Sequence, residues 1–217
     1  EEPYLNSREN KPRVAILREQ GVNGQTEMAA GFTQAGFEAV DVHMSDLLSG
    51  RINLRDFDGL VACGGFSYGD YIRTGMLSSK SPVMNEIEKH ARQGSKVLGI
   101  CNGFQILCER KMLPGTLRKN KNLTFICDIV RIRNVKTNKL YVLPMAHGEG
   151  NYYHSNPSEV NVAYRYVYDV NGSVENIAGI YNDEGNVLGI MPHPERAFKG
   201  YHHSEDGTEI VKQFMEK

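Results

Sequence analysis

Apolar and polar positions alternate in a regular way along the first half of the chain. Four apolar runs predict buried strands, at residues 13–19, 37–44, 57–65 and 95–100. Three amphipathic stretches predict helices, at residues 25–36, 81–94 and 102–112. Gly36 and Gly94 are typical helix ends. Strands and helices in this order are typical of an α/β fold with a doubly wound, mostly parallel sheet flanked by helices.

The second half of the chain is richer in β structure. Its strand-like runs are separated by turns that contain Asn and Gly, and they lie at residues 123–135, 139–148, 162–168 and 177–193. A closing helix at 204–217 carries Ile210, Val211 and Phe214 on one side. No linker separates the halves, so we expect a single domain over 13–217 with an added antiparallel or mixed β part. Residues 1–12 are predicted to be a polar tail or a linker remnant.

Charge and composition exclude several classes of function. The 217 residues carry a formal net charge of −1, which does not indicate nucleic acid or a membrane surface as a partner. No apolar run approaches the roughly 18 to 20 residues of a membrane-spanning helix. The four cysteines show no paired CxxC spacing, which predicts reduced thiols in a cytoplasmic protein. Three of them are predicted to be buried small hydrophobic residues: Cys63, Cys108 and Cys127.

The remaining cysteine, Cys101, lies in the stretch LGICNGFQIL, between a predicted strand and a predicted helix. Gly99 and Gly103 flank it, as a sharp strand-to-helix turn with a strained central residue requires. The start of a helix favours a thiolate, and the backbone N–H of Asn102 is available to an oxyanion. The pattern therefore predicts a nucleophile, with a buried core cysteine as the alternative that these residues alone leave open.

A thiolate nucleophile needs a base and a group that orients the base. The stretch MPHPER follows another apolar strand and contains His193 and Glu195. Pro194 disfavours helical backbone at His193, so an extended segment is expected, with the two side chains on one side. This pattern indicates a base and its orienting carboxylate, although a rigid surface loop with incidental charges is an alternative.

The third predicted strand ends in Gly64 and Gly65. Backbone N–H groups at such a glycine turn are suited to an oxyanion or another anion. The spacing of a nucleotide-binding phosphate loop is absent, so the turn does not indicate an ATP site.

Together these segments resemble the class I glutamine amidotransferases, an α/β family with a Cys–His–Glu triad. Longer phrases resemble the glutaminase subunits and domains of phosphoribosylformylglycinamidine synthases: GGFSYGDYIR, GICNGFQIL, LPGTLRKNKNLTFIC, AHGEGNYY and NGSVENIAGIYNDEGNVLGIMPHPERA. The resemblance covers about residues 13 to 200. The start of the chain is similar to the domain within the long single-chain synthases, and the later part is similar to the separate small subunit. Both origins therefore stay open.

The resemblance implies a role for each matching residue. Cys101 would be the nucleophile, His193 the base and later the acid, and Glu195 the group that orients His193. The N–H groups of Gly65 and Asn102 would form the oxyanion hole. The residues implied to bind glutamine are Gly64, Phe66, Gln105, His147, Gly148, Glu149 and Asn151.

The implied reaction is hydrolysis of glutamine to glutamate through a cysteine thioester, within de novo purine biosynthesis. The ammonia would pass to an ATP-dependent synthetase that converts formylglycinamide ribonucleotide to formylglycinamidine ribonucleotide. ATP and Mg²⁺ are expected on that synthetase partner, with no cofactor and no metal in this chain. A small accessory subunit is a further potential partner, and activity without the synthetase is expected to be weak.

Three other interpretations compete with this one. A cysteine peptidase or chaperone-like relative would share the cysteine and the histidine, and a non-catalytic binding module would share the fold. A metal site would draw on His147, Glu149, His202 or His203, but their spacing matches no strong ligand template. The basic stretch at 118–122 is either a solvated loop or part of a surface that contacts the synthetase.

Overall fold

The computed structural model describes residues 11–18, 25–62, 82–198 and 204–216. The predicted tail up to residue 10 lies outside the described residues, as do Cys63 and the glycines after the third strand. His202 and His203 also lie outside them.

The described residues contain eleven strands and five α-helices. The strands are β1 (Arg13–Arg18), β2 (Glu38–His43), β3 (Gly59–Ala62), β4 (Lys96–Ile100), β5 (Thr116–Arg118), β6 (Ile126–Asn134), β7 (Leu140–His147), β8 (Asn151–Tyr153), β9 (Asn161–Tyr166), β10 (Ile177–Tyr181) and β11 (Val187–Ile190). The helices are α1 (Gln25–Gln34), α2 (Met44–Leu48), α3 (Pro82–Arg92), α4 (Asn102–Glu109) and α5 (Asp206–Met215). The described residues also form short 3₁₀ turns, one of them at Pro194–Ala197.

One nine-stranded sheet organises the molecule, in the order β2-β1-β3-β4-β11-β10-β9-β6-β7. The five strands from β2 to β11 in this order are parallel to their neighbours, and the remaining pairings are antiparallel. The predicted α/β class is therefore confirmed. The β-rich second half continues the same sheet, because β11 returns to pair with β4. A second sheet, formed by β5 and β8, was not predicted.

Burial explains why the central strands have apolar sequences. Every residue of β3 and β11 is buried, as expected for strands covered on both faces. In α3 the buried side chains are spaced along one face: Val83, Met84, Ile87 and His90. Gly36 and Gly94 both have positive φ, 100° and 88°, which confirms the two predicted helix ends.

One expectation about burial is wrong. Cys108 is buried in α4, as predicted, but Cys127 is exposed on β6. The difference arises because β6 lies next to the edge strand β7, where alternate side chains of the strand face outward. A local apolar run does not reveal which face of a sheet is covered.

Helix α4 packs closely against the end of β3. A Cβ atom at Gly103 would lie 2.0 Å from the backbone oxygen of Ala62, so only glycine fits. Gly99 is similarly confined, since its Cβ would lie 2.8 Å from the backbone of Gly103. The glycines that flank Cys101 therefore permit the close approach that the sequence predicted.

Helix α5 supports the turn that contains Pro194. A Cβ atom at Gly207 would lie 1.8 Å from the backbone oxygen of Pro194, so the helix and the turn are in direct backbone contact. The carboxylate of Asp206 accepts a hydrogen bond of 2.7 Å from the N–H of Val142, which joins the start of α5 to β7. Ile210, Val211 and Phe214 are buried, as predicted for this helix. The closing helix thus fixes the segment that follows β11.

Gly103→Ala is expected to lower the free energy of unfolding by about 3 kcal/mol, because the new methyl group meets backbone atoms that cannot rotate away. In an unconfined helix the same change raises stability by roughly 0.5 to 1 kcal/mol, so the sign of the effect is diagnostic. Urea unfolding measures it. Gly148→Ala is the matched control, because its Cβ would meet only the Phe125 ring, at 3.8 Å. Equal stability of both variants would contradict the packing described.

Candidate active site

Cys101 occupies the turn between β4 and α4. Its backbone has φ 54° and ψ −107°, a conformation that costs energy for any residue with a Cβ atom. Its N–H donates to the backbone oxygen of Ile190 at 2.9 Å, which joins the turn to the end of β11. The side chain is buried, and the thiol donates to the backbone oxygen of Ala146 at 3.5 Å. The strained strand-to-helix turn predicted from the flanking glycines is present.

His193 follows β11, which pairs with β4 in parallel register from Val187–Val97 to Ile190–Ile100. The carboxyl ends of the two strands therefore meet at one edge of the sheet. His193 Nδ1 and Glu195 Oε1 are 2.5 Å apart, and both side chains are almost completely buried. The sequence predicted this proximity through an extended segment, but a 3₁₀ turn over Pro194–Ala197 produces it. Of these two residues, His193 has extended backbone and Glu195 lies within the turn.

Two neighbours control the charge of His193. Burial alone lowers its pKa, but the adjacent Glu195 carboxylate and the Cys101 thiol together raise the pKa to about 10. The imidazolium is therefore favoured. Its Nε2 atom is buried and makes no hydrogen bond within the described residues, while Nδ1 is taken by Glu195. Nε2 is thus the ring nitrogen available to exchange a proton with Cys101 or with a bound molecule.

Asn102 is the first residue of α4, so its N–H has no acceptor within the helix. Gln105 lies one turn later and is buried. Its side-chain amide donates to the backbone oxygen of Glu149 at 2.7 Å. In this structure Gln105 therefore holds a neighbouring loop, and its predicted contact with glutamine stays a prediction.

The loop from His147 to Gly150, here called the 147–150 segment, leaves the end of β7 beside Cys101. The His147 ring points into the protein, against Gly150, where a Cβ atom would lie 2.4 Å from the ring. Burial lowers the pKa of His147 to about 4, and the nearby His193 acts in the same direction. His147 is therefore a neutral interior side chain, and its predicted contact with glutamine stays a prediction.

The other residues implied to bind glutamine are placed as follows. Gly148 and Glu149 are half-buried in the 147–150 segment. Asn151 begins β8 and donates to the backbone oxygen of Lys119 at 3.3 Å. Gly64, Gly65 and Phe66 lie outside the described residues. The oxyanion and glutamine contacts predicted for these positions stay predictions.

Four buried polar residues near the site were not identified from the sequence. Asn120, Asn171 and Ser173 hydrogen-bond around the 147–150 segment, and Tyr166 lies close to Asn171 and Cys101. Burial raises the pKa of Tyr166, and the Cys101 sulfur adds to the increase, so the phenol stays protonated. In the sequence, Asn120 lies in a basic stretch and Asn171 in an Asn-Gly turn. No local spacing distinguishes them from ordinary loop residues.

The described residues contain no cluster of three or more His, Cys, Asp or Glu side chains that could hold a metal ion. Among the helices of this part of the chain, none is long and apolar enough to cross a membrane.

The basic stretch at 118–122 makes contacts with neighbouring side chains. The guanidinium carbon of Arg118 lies 4.1 Å from the centre of the Tyr153 ring, and Lys121 Nζ lies 3.4 Å from Asp169 Oδ2.

Comparison with known proteins places the chain among amidotransferases. The family profile described as the CobB/CobQ-like glutamine amidotransferase domain matches residues 11–215. A relative from Methanopyrus kandleri, phosphoribosylformylglycinamidine synthase subunit PurQ, is 41% identical and is aligned over 94% of this chain and 97% of its own length. The protein of the same name from Pyrococcus horikoshii is also 41% identical, with the same coverage. A chain in the structure of PurLQS from Thermotoga maritima matches with a TM-score of 0.85 and 36% identity, over 95% of this chain and 98% of that one.

The neutral state of His147 predicts how stability depends on pH. Its folded pKa of about 4 lies below the unfolded value of 6.5, so between these values the unfolded chain binds a proton that the folded chain does not. Stability is therefore lost as pH falls from 6.5 to 4. His147→Gln removes this loss, and the difference reaches about 3 kcal/mol at the lower end. His90, whose burial also lowers its pKa, is present in both proteins and cancels.

Urea unfolding of the wild type and of His147→Gln at several pH values between 7 and 4 measures this difference. Parallel stability curves would contradict the assignment, because they would mean that folded His147 binds its proton as readily as in the unfolded chain.

Proposed function

Because the chain belongs to the CobB/CobQ-like glutamine amidotransferases, we propose that it is the glutaminase subunit of a phosphoribosylformylglycinamidine synthase. It hydrolyses glutamine and supplies ammonia to the synthetase of de novo purine biosynthesis. One observation carries the chemical part of this proposal. The strained Cys101 and the buried His193–Glu195 pair meet at the ends of two adjacent parallel strands.

The raised pKa of His193 favours an ion pair in which Nε2 of His193 carries the proton of Cys101, and the reaction begins from this thiolate. The thiolate attacks the side-chain amide carbon of glutamine, a C–S bond forms, and the carbonyl electrons move to the oxygen. When this oxyanion collapses, the C–N bond breaks and the leaving nitrogen takes the proton from His193. Ammonia departs and a glutamyl thioester remains on Cys101.

The second half of the reaction uses the same groups in reverse. His193 removes a proton from water, and the hydroxide attacks the thioester carbon. The C–S bond breaks, glutamate is released, and the Cys101 sulfur recovers its proton. Glu195 holds Nδ1 of His193 throughout, so that Nε2 faces the reacting atoms and the imidazolium is stabilised.

The oxyanion and the substrate need donors that are fixed in advance. We assign the N–H of Asn102, at the start of α4, and the N–H of Gly65 to the oxyanion. Gly148 and Glu149 of the 147–150 segment, together with Gly64 and Phe66, are assigned to the glutamine pocket. Gln105, His147 and Asn151 are assigned to the same glutamine pocket.

The partner is the synthetase subunit that consumes the ammonia, and a small accessory subunit can complete the complex. The synthetase binds ATP and Mg²⁺ and converts formylglycinamide ribonucleotide to formylglycinamidine ribonucleotide. This chain needs no cofactor for its half of the reaction, and it contacts neither nucleic acid nor a membrane. The location is cytoplasmic. Activity without the synthetase is weak, since contact with the partner completes the pocket and limits the waste of glutamine.

Ammonia release from glutamine, measured alone and with the synthetase, tests the proposal. Release is expected to rise with the partner and to fall at least about a thousandfold in Cys101→Ala, because the variant lacks the nucleophile. Cys108→Ala is the matched control, since Cys108 is a buried thiol in the adjoining helix with no part in the reaction. Absence of Cys101-dependent release under both conditions would refute the glutaminase assignment and favour a non-catalytic binding module.

Glu195→Gln tests the orienting role of the carboxylate. The variant keeps the size of the side chain but removes the charge, so the pKa of His193 is expected to fall from about 10 toward its usual value of 6.5. Glutamine hydrolysis should fall by about a hundredfold or more, because the imidazolium loses its partner. NMR titration of the His193 ring and steady-state kinetics provide the two measurements. An unchanged His193 pKa would show that another group controls its charge.

A further inference from the structure

Groups from three other parts of the chain donate hydrogen bonds to the backbone of the 147–150 segment. All four of its carbonyl groups accept hydrogen bonds. Asn120 donates to His147 through its side chain at 2.9 Å and to Gly148 through its backbone N–H at 3.0 Å. Gln105 donates to Glu149 at 2.7 Å, and Asn171 donates to Gly150 at 2.9 Å. The segment is thus confined to one conformation by amide groups.

Asn120 makes the largest number of these contacts. Its side chain is fully buried, and its amide donates to Thr124 and His147 while its oxygen accepts from the N–H of Gly150 at 3.1 Å. This arrangement needs two donors and one acceptor on one planar group, which asparagine provides. Aspartate would bring a carboxylate oxygen against two carbonyl oxygens, and alanine would remove these partners from the backbone groups of Thr124, His147 and Gly150, the last two of which are buried.

Asn171 completes the arrangement from the opposite side of Gly150. Its amide donates to Gly150, and its oxygen accepts from the Ser173 hydroxyl at 2.6 Å and from the Ser173 N–H at 3.1 Å. The Ser173 hydroxyl also lies 3.1 Å from the Gly150 oxygen, so its single proton is shared between the two acceptors. Gly150 is therefore bonded at its N–H by Asn120 and at its carbonyl by Asn171 and Ser173. The two asparagines act on the same residue from two directions.

The segment held in this way lies directly beside the reacting groups. Ala146, the residue before it, accepts the hydrogen bond of the Cys101 thiol, and the N–H of His193 donates to the neighbouring strand at Pro144. Cys101, His193 and Glu195 have their own supports, in β4, α4 and the turn against α5. Loss of the asparagine contacts would therefore loosen the segment without displacing the reacting groups.

We propose that Asn120 and Asn171 are positioning residues that order the 147–150 segment for glutamine, and that they determine the affinity for the substrate more than the rate of the chemical step. This inference rests on the proposed function. An ordered segment binds glutamine without a further loss of conformational freedom, whereas a loosened one must be ordered at each binding event. The effect of losing either asparagine should therefore appear in KM, with kcat much less affected.

The test compares Asn120→Ala, Asn171→Ala and the double variant in complex with the synthetase, because alanine removes the hydrogen bonds without adding a charge near His193. Each single variant is expected to raise the KM for glutamine by about tenfold or more and to change kcat by less than about threefold. The double variant should raise KM by less than the product of the single effects, because both side chains hold Gly150. The synthetase activity measured with added ammonia should stay unchanged in all of them, since it bypasses the glutamine site.

Asn186→Ala is the matched control. Asn186 is also buried, donates to two backbone oxygens, of Ala91 and Ser95, and accepts one hydrogen bond, from Asn182. It precedes β11, at the opposite end of the strand from His193. Its replacement should lower the melting temperature, as the other changes do, but leave the KM for glutamine unchanged.

Three results would overturn the inference: an unchanged KM in the Asn120 and Asn171 variants, an equal rise of KM in Asn186→Ala, or a loss confined to kcat. In each of these cases a wild type with Cys101-dependent ammonia release leaves the proposed function intact. A wild type that releases no ammonia in the complex overturns both proposals together.

Discussion

The parallel pairing of β4 with β11 brings together the two parts of the chain that carry the reacting groups. The hydrogen bond from the Cys101 N–H to Ile190 continues this pairing beyond the last strand residues, so both strands end at the same level. Cys101 and His193 then leave the same edge of the sheet. A shift of one residue in the register would turn the neighbouring side chains to the other face of the sheet and separate the two groups.

The turn at Cys101 stores strain that the surrounding structure maintains. A positive φ at a residue with a Cβ atom is unfavourable, and it persists here because β4, β11 and α4 fix the chain on both sides. Gly99 and Gly103 allow α4 to approach β3 and β4 closely enough to do this. The thiol is thereby held at the start of a helix, beside the imidazole, before any substrate arrives. Such advance ordering is how a site reduces the cost of reaching the transition state.

Around this centre the polar groups are mostly neutral. Cys101 and His193 carry the charge changes of the reaction beside the Glu195 carboxylate, while the nearby loop is held by amides and a hydroxyl and contains the neutral His147. In a buried site of low dielectric, an additional fixed charge would act strongly on the His193 imidazolium. Asparagine and glutamine provide both donors and acceptors without such a charge. This explains why amide side chains hold the 147–150 segment, although charged residues could also form hydrogen bonds.

The sequence by itself determined the features that depend on neighbours along the chain. Apolar periodicity located most strands and helices to within a few residues, and the glycines around Cys101 predicted its strained turn. His193 and Glu195 are two residues apart, so their contact needed only a correct local conformation. Long phrases resembling one enzyme family indicated the chemistry.

The tertiary structure alone decided that the β-rich half extends the same sheet, that Cys127 is exposed, and that His147 points inward. It also revealed Asn120 and Asn171, whose bonds to Gly150 span 30 and 21 positions of the chain. Such contacts depend on the order in which strands assemble, and local patterns carry no record of that order.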